Sequence, residues 1–242
     1  GPMTTSPTVP RTARDRARAE ITAEILDAAR QHLAREGAAA LSLRAVARDV
    51  GMVSSAVYRY VPNRDALLTM LIIDAYDSLG AVVEKAESAV AREDRLGRFL
   101  AICHAVRGWA LAHPHEYALI YGTPVPGYAA PEDTIGPASR VSLLLIGILV
   151  DLTASGAAPA PDELDPSVAA SIAPVLEFAD GRVSDDLMLR GLAAWSGLFG
   201  TITFELFGQF HNVVASSQRA RKAFFDHQMR QLASGLGLDE AA

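Results

Sequence analysis

One apolar rhythm runs through almost all of this chain. Ile21, Ile25, Ala28, Ala29, His32 and Leu33 recur at intervals of three and four, and Gly37 follows as a stop. The spacing returns in Leu67, Leu68, Leu71, Ile72, Ala75 and Leu79, and again in Leu96, Phe99, Leu100, Cys103, Val106 and Ala110. Met188, Leu192, Trp195, Phe199, Ile202, Leu206 and Phe210 repeat it, as do Phe225, Met229, Leu232 and Leu236. Such intervals lay an apolar stripe along one side of a helix, whereas a half-buried strand needs strict alternation. No stretch alternates in that way and none repeats internally, so the expected fold is all-α.

Punctuation sets the helix limits. A first helix is expected over residues 14–36. Ser42 can cap a short helix through Val50, Gly51 supplies a turn, and Ser54 or Ser55 can open a second short helix ending near Tyr60. Pro62 and Asn63 precede a long connecting helix to about residue 91, and Pro114 stops the next one. A short amphipathic piece at 115–121 leads into 122–136, where Pro124, Pro126 and Pro131 enforce a loop. Helices are expected at about 138–154, 166–179, from Asp185 onward, and 217–236. Gly191, Gly197, Gly200 and Gly208 interrupt the penultimate one. Each costs up to ~1 kcal/mol relative to alanine inside a helix, so close helix approach is the expected compensation.

Half of the 242 residues are hydrophobic and 21% are charged, enough apolar surface for a core and too little charge for global disorder. The net charge of −6 is unevenly spread. Residues 1–65 hold ten arginines against seven acids, +3, which leaves −9 for the rest. The end that can seek phosphate is therefore N-terminal. Gly1 and Pro2 before Met3 read as a cleavage scar, residues 1–13 as a disordered arm, and no secretory signal follows, so the expected compartment is the cytoplasm. The densest apolar run, 141–150, is half the ~20 residues of a bilayer span and is expected to be buried, without membrane insertion. A single cysteine, Cys103, excludes an internal disulfide and a multi-cysteine zinc site. No cofactor and no metal are expected.

The span 42–60, SLRAVARDVGMVSSAVYRY, supplies in order a bracing helix, a glycine turn and a second helix whose start can face base edges. It resembles the N-terminal region of the TetR family of regulators through Ser42, Val46, Ala47, Gly51, Tyr58, Tyr60, Arg64 and Leu67. Three positions depart from the family pattern. Val53 stands where a capping hydroxyl is usual, Val61 where Phe is usual, and Arg64 where Lys is usual. Residues 117–128 and 195–207 resemble a C-terminal subgroup of that family named for a Trp-His-Gly element, here Trp195, Ser196 and Gly197.

The resemblance implies a three-helix N-terminal bundle with a helix-turn-helix over 14–63, and a larger helical effector-binding and dimerisation domain over 64–242. By analogy and chemistry, Ser54, Ser55, Tyr58 and Arg59 are assigned to the groove face, and Arg44, Tyr60 and Arg64 to phosphates. Packing against the first helix is the alternative for either tyrosine. Arg11, Arg14, Arg16 and Arg18 form a basic arm that is either solvated or follows the minor groove.

The last two long helices carry Phe199, Phe204, Phe207, Phe210, Phe224 and Phe225, more apolar surface than one protomer covers, so they are expected to form a homodimer. Two recognition helices would then read successive major grooves of a palindromic operator in double-stranded DNA. A pocket for a small hydrophobic or aromatic effector is expected among Phe99, Cys103, His104, Val106 and Trp109, with Tyr117, Tyr121, Leu144, Ile148 and Trp195 completing it; plain core is the alternative. The default function is a repressor released by that effector. An activator shares the same sequence features. A helical interaction protein or an enzyme is disfavoured, because His113 and His115 bracket Pro114 without a third ligand, and Cys103 and His104 point about 100° apart on their helix.

Overall fold

The computed structural model describes residues 12–239; the expected arm at 1–13 lies almost wholly outside them, as does Arg11. Among the described residues all regular structure is helical: α1 (Ala13–Glu36), α2 (Leu43–Asp49), α3 (Ser54–Val57), α4 (Arg64–Ser88), α5 (Arg95–Ala112), α6 (Pro114–Tyr121), a 3₁₀ turn (Glu132–Thr134), α7 (Ile135–Ala154), α8 (Pro166–Ser171), α9 (Ala173–Ala179), α10 (Asp185–Leu206) and α11 (Gln218–Gly235). The all-α expectation holds. The described residues fall into two compact units, one of those up to Ala75 together with His115–Thr134, the other of Tyr76–Pro114 and those from Ile135 onward. The expected break was after residue 63; the first half of α4, through Leu67, Leu68 and Leu71, and the later segment both group with the N-terminal core.

In the first unit, caps start and stop the helices where the sequence indicates. The Thr12 hydroxyl accepts the Asp15 N–H, and Gly37, at φ 79°, ends α1. Ser42 caps α2 through the Ala45 N–H. Gly51 takes φ 74°, a conformation that leaves the Met52 N–H on the Ala47 carbonyl and turns the chain into α3. Asn63 Oδ1 accepts the Ala66 N–H at 2.8 Å and opens α4. Ile25, Ala29, Val46, Ala47, Val57, Val61, Leu67 and Leu68 are all fully buried in one cluster. Val61, in the place of the family's usual Phe, fills its position within that core.

In the second unit α5 packs against α7, α10 and α11. Phe99, Ile102, Cys103 and Val106 of α5 are buried with Ile148 and Leu152 of α7, Leu198 and Ile202 of α10, and Phe225 and Met229 of α11. The α10 glycines divide into three cases. A Cβ at Gly191 would meet Leu149 at 2.7 Å and one at Gly197 would meet Leu232 at 2.8 Å, so these two permit close packing on α7 and α11. Gly200 faces open space, and Gly208, at φ 82°, lies in the turn beyond the helix end at Leu206. Phe210 is thus outside α10, in correction of the expected single stripe.

Two other boundaries move. The expected helix over 166–179 is broken at Ile172 because Pro174, in the first turn of α9, has no N–H to continue the ladder and its ring crowds the preceding turn. α7 begins three residues earlier than expected and accommodates Pro137 in its first turn, where no intrahelical N–H is required.

Arg64–Ser88, Glu132–Ala154 and Asp185–Leu206 are long and apolar enough to cross a membrane by length and composition alone. In this fold they carry buried or clamped charges instead. Arg140 of α7 lies across Gly80 of α4, with a bidentate bond to Glu84 at 2.7 Å and a contact to Asp77 at 3.2 Å.

Candidate DNA interface and effector cavity

The turn between α2 and α3 sets out the first candidate site. Ser54 and Ser55 open α3 and are exposed, as are Arg44, Tyr58 and Arg59. α3 is capped by Val53, which makes no side-chain hydrogen bond and is 70% exposed. The missing hydroxyl has not been replaced by Ser54, and the helix is a single turn ending at Val57, shorter than the expected reach to Tyr60. The Ala56 N–H bonds the Val53 carbonyl at 2.9 Å, so the N–H groups of Ser54 and Ser55 precede the first bond of this turn.

Tyr60 and Arg64 occupy different positions from the exposed group. Tyr60 is half-buried, with the Arg18 guanidinium 5.0 Å from its ring centroid, and Arg18 also donates to the Arg59 carbonyl at 2.8 Å. This is the packing alternative against the first helix. Arg64 donates to the carbonyls of Leu41 (2.9 Å), Ala38 (2.8 Å) and Ala39 (3.0 Å), so its fork holds the α1–α2 connection that presents Ser42. A lysine could not make this three-point contact from one planar group.

Among the described residues Arg14, Arg16, Arg44, Arg48 and Arg59 have no acidic partner, whereas Arg30 and Arg35 pair with Asp27, Asp74 and Asp49. Arg48 was passed over by the sequence reading, although its i, i+4 relation to Arg44 on an exposed helix face was legible. Arg14, Arg18 and Arg59 share a hollow with Asp15 and Tyr60, so the described part of the basic arm is helical and lies beside the turn that follows α3.

The second candidate site is a cavity of about 200 Å³ inside the second unit. Phe99 of α5, Leu145, Ile148 and Leu149 of α7, and Met188 and Trp195 of α10 are part of its apolar wall. Ser142 supplies a hydroxyl, and no charged side chain lines it. Phe99, Ile148 and Trp195 are thus brought together from the expected set. Cys103, Val106 and Trp109 are buried but are not lining residues, and Trp109 donates from its indole N–H to Ser78 at 3.0 Å. His104 pairs with Asp226 at 2.8 Å and stands edge-on to Phe225. Leu144 is half-buried away from the cavity, and Tyr117 and Tyr121, 5.1 Å apart, belong to the other unit. Leu145 and Leu149 escaped the sequence reading because every position of the run LLLIGILV is apolar, which erases the stripe.

The ionisable groups here are structural. Burial pushes the Asp226 carboxyl up, but hydrogen bonds from Arg230 and His104 outweigh it and hold it below the usual carboxylate range. Burial pushes the Cys103 thiol well above its ordinary value, so almost no thiolate exists near neutral pH. A thiol-reactive reagent should leave Cys103 unmodified in the native protein and label it stoichiometrically in denaturant, as mass spectrometry would record; rapid native labelling would refute its inertness.

An exposed arginine set without acid partners around a helix-turn-helix, in a chain whose other unit is also helical, defines a DNA-binding regulator. Residues 25–71 match the family described as bacterial regulatory proteins, tetR family, and residues 99–232 match the tetracyclin repressor-like C-terminal domain. The HTH-type transcriptional regulator Rv1816 of Mycobacterium tuberculosis H37Rv is 42% identical over 200 residues, 80% of this chain and 84% of that protein. The crystal structure of SCO4313, described as a regulatory protein, is 35% identical and superposes with a TM-score of 0.74, covering 92% of this chain and all of that one. A Rhodococcus sp. RHA1 protein of unknown function is 25% identical, with a TM-score of 0.64 over 88% of this chain and 95% of its own. The chain belongs to the TetR family: it is a helix-turn-helix transcriptional regulator and not an enzyme.

Proposed function

We propose that this regulator is a cytoplasmic repressor that binds a palindromic operator as a homodimer and is released by a small, uncharged, mainly apolar effector. The observation that carries the DNA reading is the exposed set Arg44, Arg48, Ser54, Ser55, Tyr58 and Arg59 around the Gly51 turn, with no acid paired to its arginines among the described residues. Unpaired arginines give up no ion pair on meeting a phosphate, and Ser54, Ser55 and Tyr58 stand where base edges would be read. Repression is the direction chosen because a bound dimer blocks a promoter by occupancy alone; activation would need a particular operator position.

The dimer reading is supported by apolar surface that one protomer leaves open. α10 buries Leu187, Met188, Ala194, Leu198 and Ile202 in its own core, while Phe204 near its end and Phe207 just beyond it are 51% and 47% exposed. Phe210 links Phe204 to Phe224 through edge-to-face contacts at 5.7 and 5.1 Å, extending the patch to α11. A second copy covers such a patch without membrane insertion. The effector reading rests on the uncharged cavity, which would reject a carboxylate or phosphate for want of a partner.

Selection of bound sequences from random duplex DNA tests the reading. The wild-type protein should enrich an inverted repeat, and the Arg44→Ala, Tyr58→Ala double variant should lose it while remaining folded. No enriched motif, with only weak salt-sensitive retention, would overturn it.

A further inference from the structure

We infer that residues 115–134, although they lie within the family's C-terminal region, act as a strut of the DNA-binding unit and position the helix-turn-helix through a latch between Tyr128 and Thr69. Four observations converge on this segment. It clusters with the residues up to Ala75 as one compact body. Leu119 of α6 and Val125 and Tyr128 of the following loop pack against the core built from Val46, Val57, Val61, Leu67 and Leu68. The Tyr128 hydroxyl lies 2.6 Å from Thr69 Oγ1 on α4. Tyr117 of α6 is fully buried.

The loop is built to deliver Tyr128. Pro124 and Pro126 restrict the backbone on either side of Val125, Gly127 takes φ 77°, and the Tyr128 N–H closes a turn on the Val125 carbonyl at 3.2 Å. At its far end the Pro131 carbonyl accepts both the Thr134 N–H and hydroxyl. A loop ordered in advance loses little entropy when its tyrosine docks.

Thr69 sits between Leu68 and Leu71, which are buried beneath α2 and α3, and five residues after the Arg64 anchor. Holding Thr69 therefore holds the first half of α4, and with it the floor on which the recognition turn rests. The chain enters this strut from α5 and leaves it into α7, and Phe99 of α5 and Leu145 of α7 line the effector cavity. The chain thus crosses between the DNA-binding unit and the second unit three times, once within α4 and once at each end of the strut.

Tyr128→Phe and Thr69→Val each remove the hydroxyl bond and keep the packing volume. In the full-length protein, hydrogen exchange of the amides in residues 42–60 should quicken in each single variant, and affinity for the selected operator should fall about fivefold. Affinity for random duplex should stay within twofold. The double variant should be no worse than either single, because both remove one bond. Unchanged exchange in 42–60 with operator affinity within twofold would overturn the latch, as would fully additive losses. A drop in affinity that merely tracks the unfolded fraction, measured by circular dichroism, would also overturn it. The exchange readout needs no operator, so it separates failure of the latch from failure of the operator-binding proposal.

Discussion

Glu205→Ala is expected to destabilise the folded protein by about 3–5 kcal/mol. Arg107 donates from Nε and Nη2 to the two Glu205 oxygens, both at 2.9 Å, and each side chain is only 8% exposed. The guanidinium also lies over the Phe225 ring at 5.6 Å, so three helices, α5, α10 and α11, meet at this pair. Removing the carboxylate leaves a desolvated arginine that cannot lose its proton, and no other acid bonds it among the described residues. Replacing both partners, Arg107→Met with Glu205→Leu, should recover most of the loss, because an apolar pair of similar volume has no desolvation cost. Urea unfolding at fixed protomer concentration would measure both variants, since the proposed dimer would make stability depend on concentration. A single-variant loss below about 1 kcal/mol would mean that the pair is screened as a surface bridge is.

Arg64→Ala should reduce stability by about 2–4 kcal/mol and weaken operator binding without changing its salt dependence. The three carbonyls that Arg64 serves belong to the connection between α1 and α2, and charge-assisted bonds contribute about 1.5–3 kcal/mol each before a discount for their partial exposure. The salt dependence separates two possible roles of this arginine. If Arg64 supported the fold only, the slope of log affinity against log salt would be that of the wild type. If it neutralised a phosphate, the slope would fall by about one, as it should for Arg44→Ala. Titration at several salt concentrations with the three proteins decides between them.

The DNA-binding end was legible because its determinants are local. Ser42, Gly51 and Asn63 act on N–H groups or dihedral angles within three residues of themselves, so type and spacing suffice to place them. The roles of Arg64 and Tyr60 were not legible, since an arginine near a helix-turn-helix looks the same whether it faces a phosphate or three backbone carbonyls 23 to 26 residues away. Trp195 shows the same limit in the second unit: its helical register with Ile202 was readable, but only packing shows that Ile202 is buried while Trp195, 41% exposed, walls the cavity.

What the amino-acid order determined by itself is the helical class, the turn chemistry, the polarity of charge between the two ends and the residue types that could meet DNA. These follow from backbone propensities and short-range periodicity, which each segment carries wherever it is placed. Tertiary structure alone decided that residues 115–134 join the N-terminal core, which side chains wall the cavity, that Arg64 bonds three backbone carbonyls and that Arg107 pairs with a buried carboxylate. Those outcomes depend on which distant surfaces exclude water from one another, and two segments with equal apolar content compete for the same site until shape and hydrogen-bond partners favour one of them.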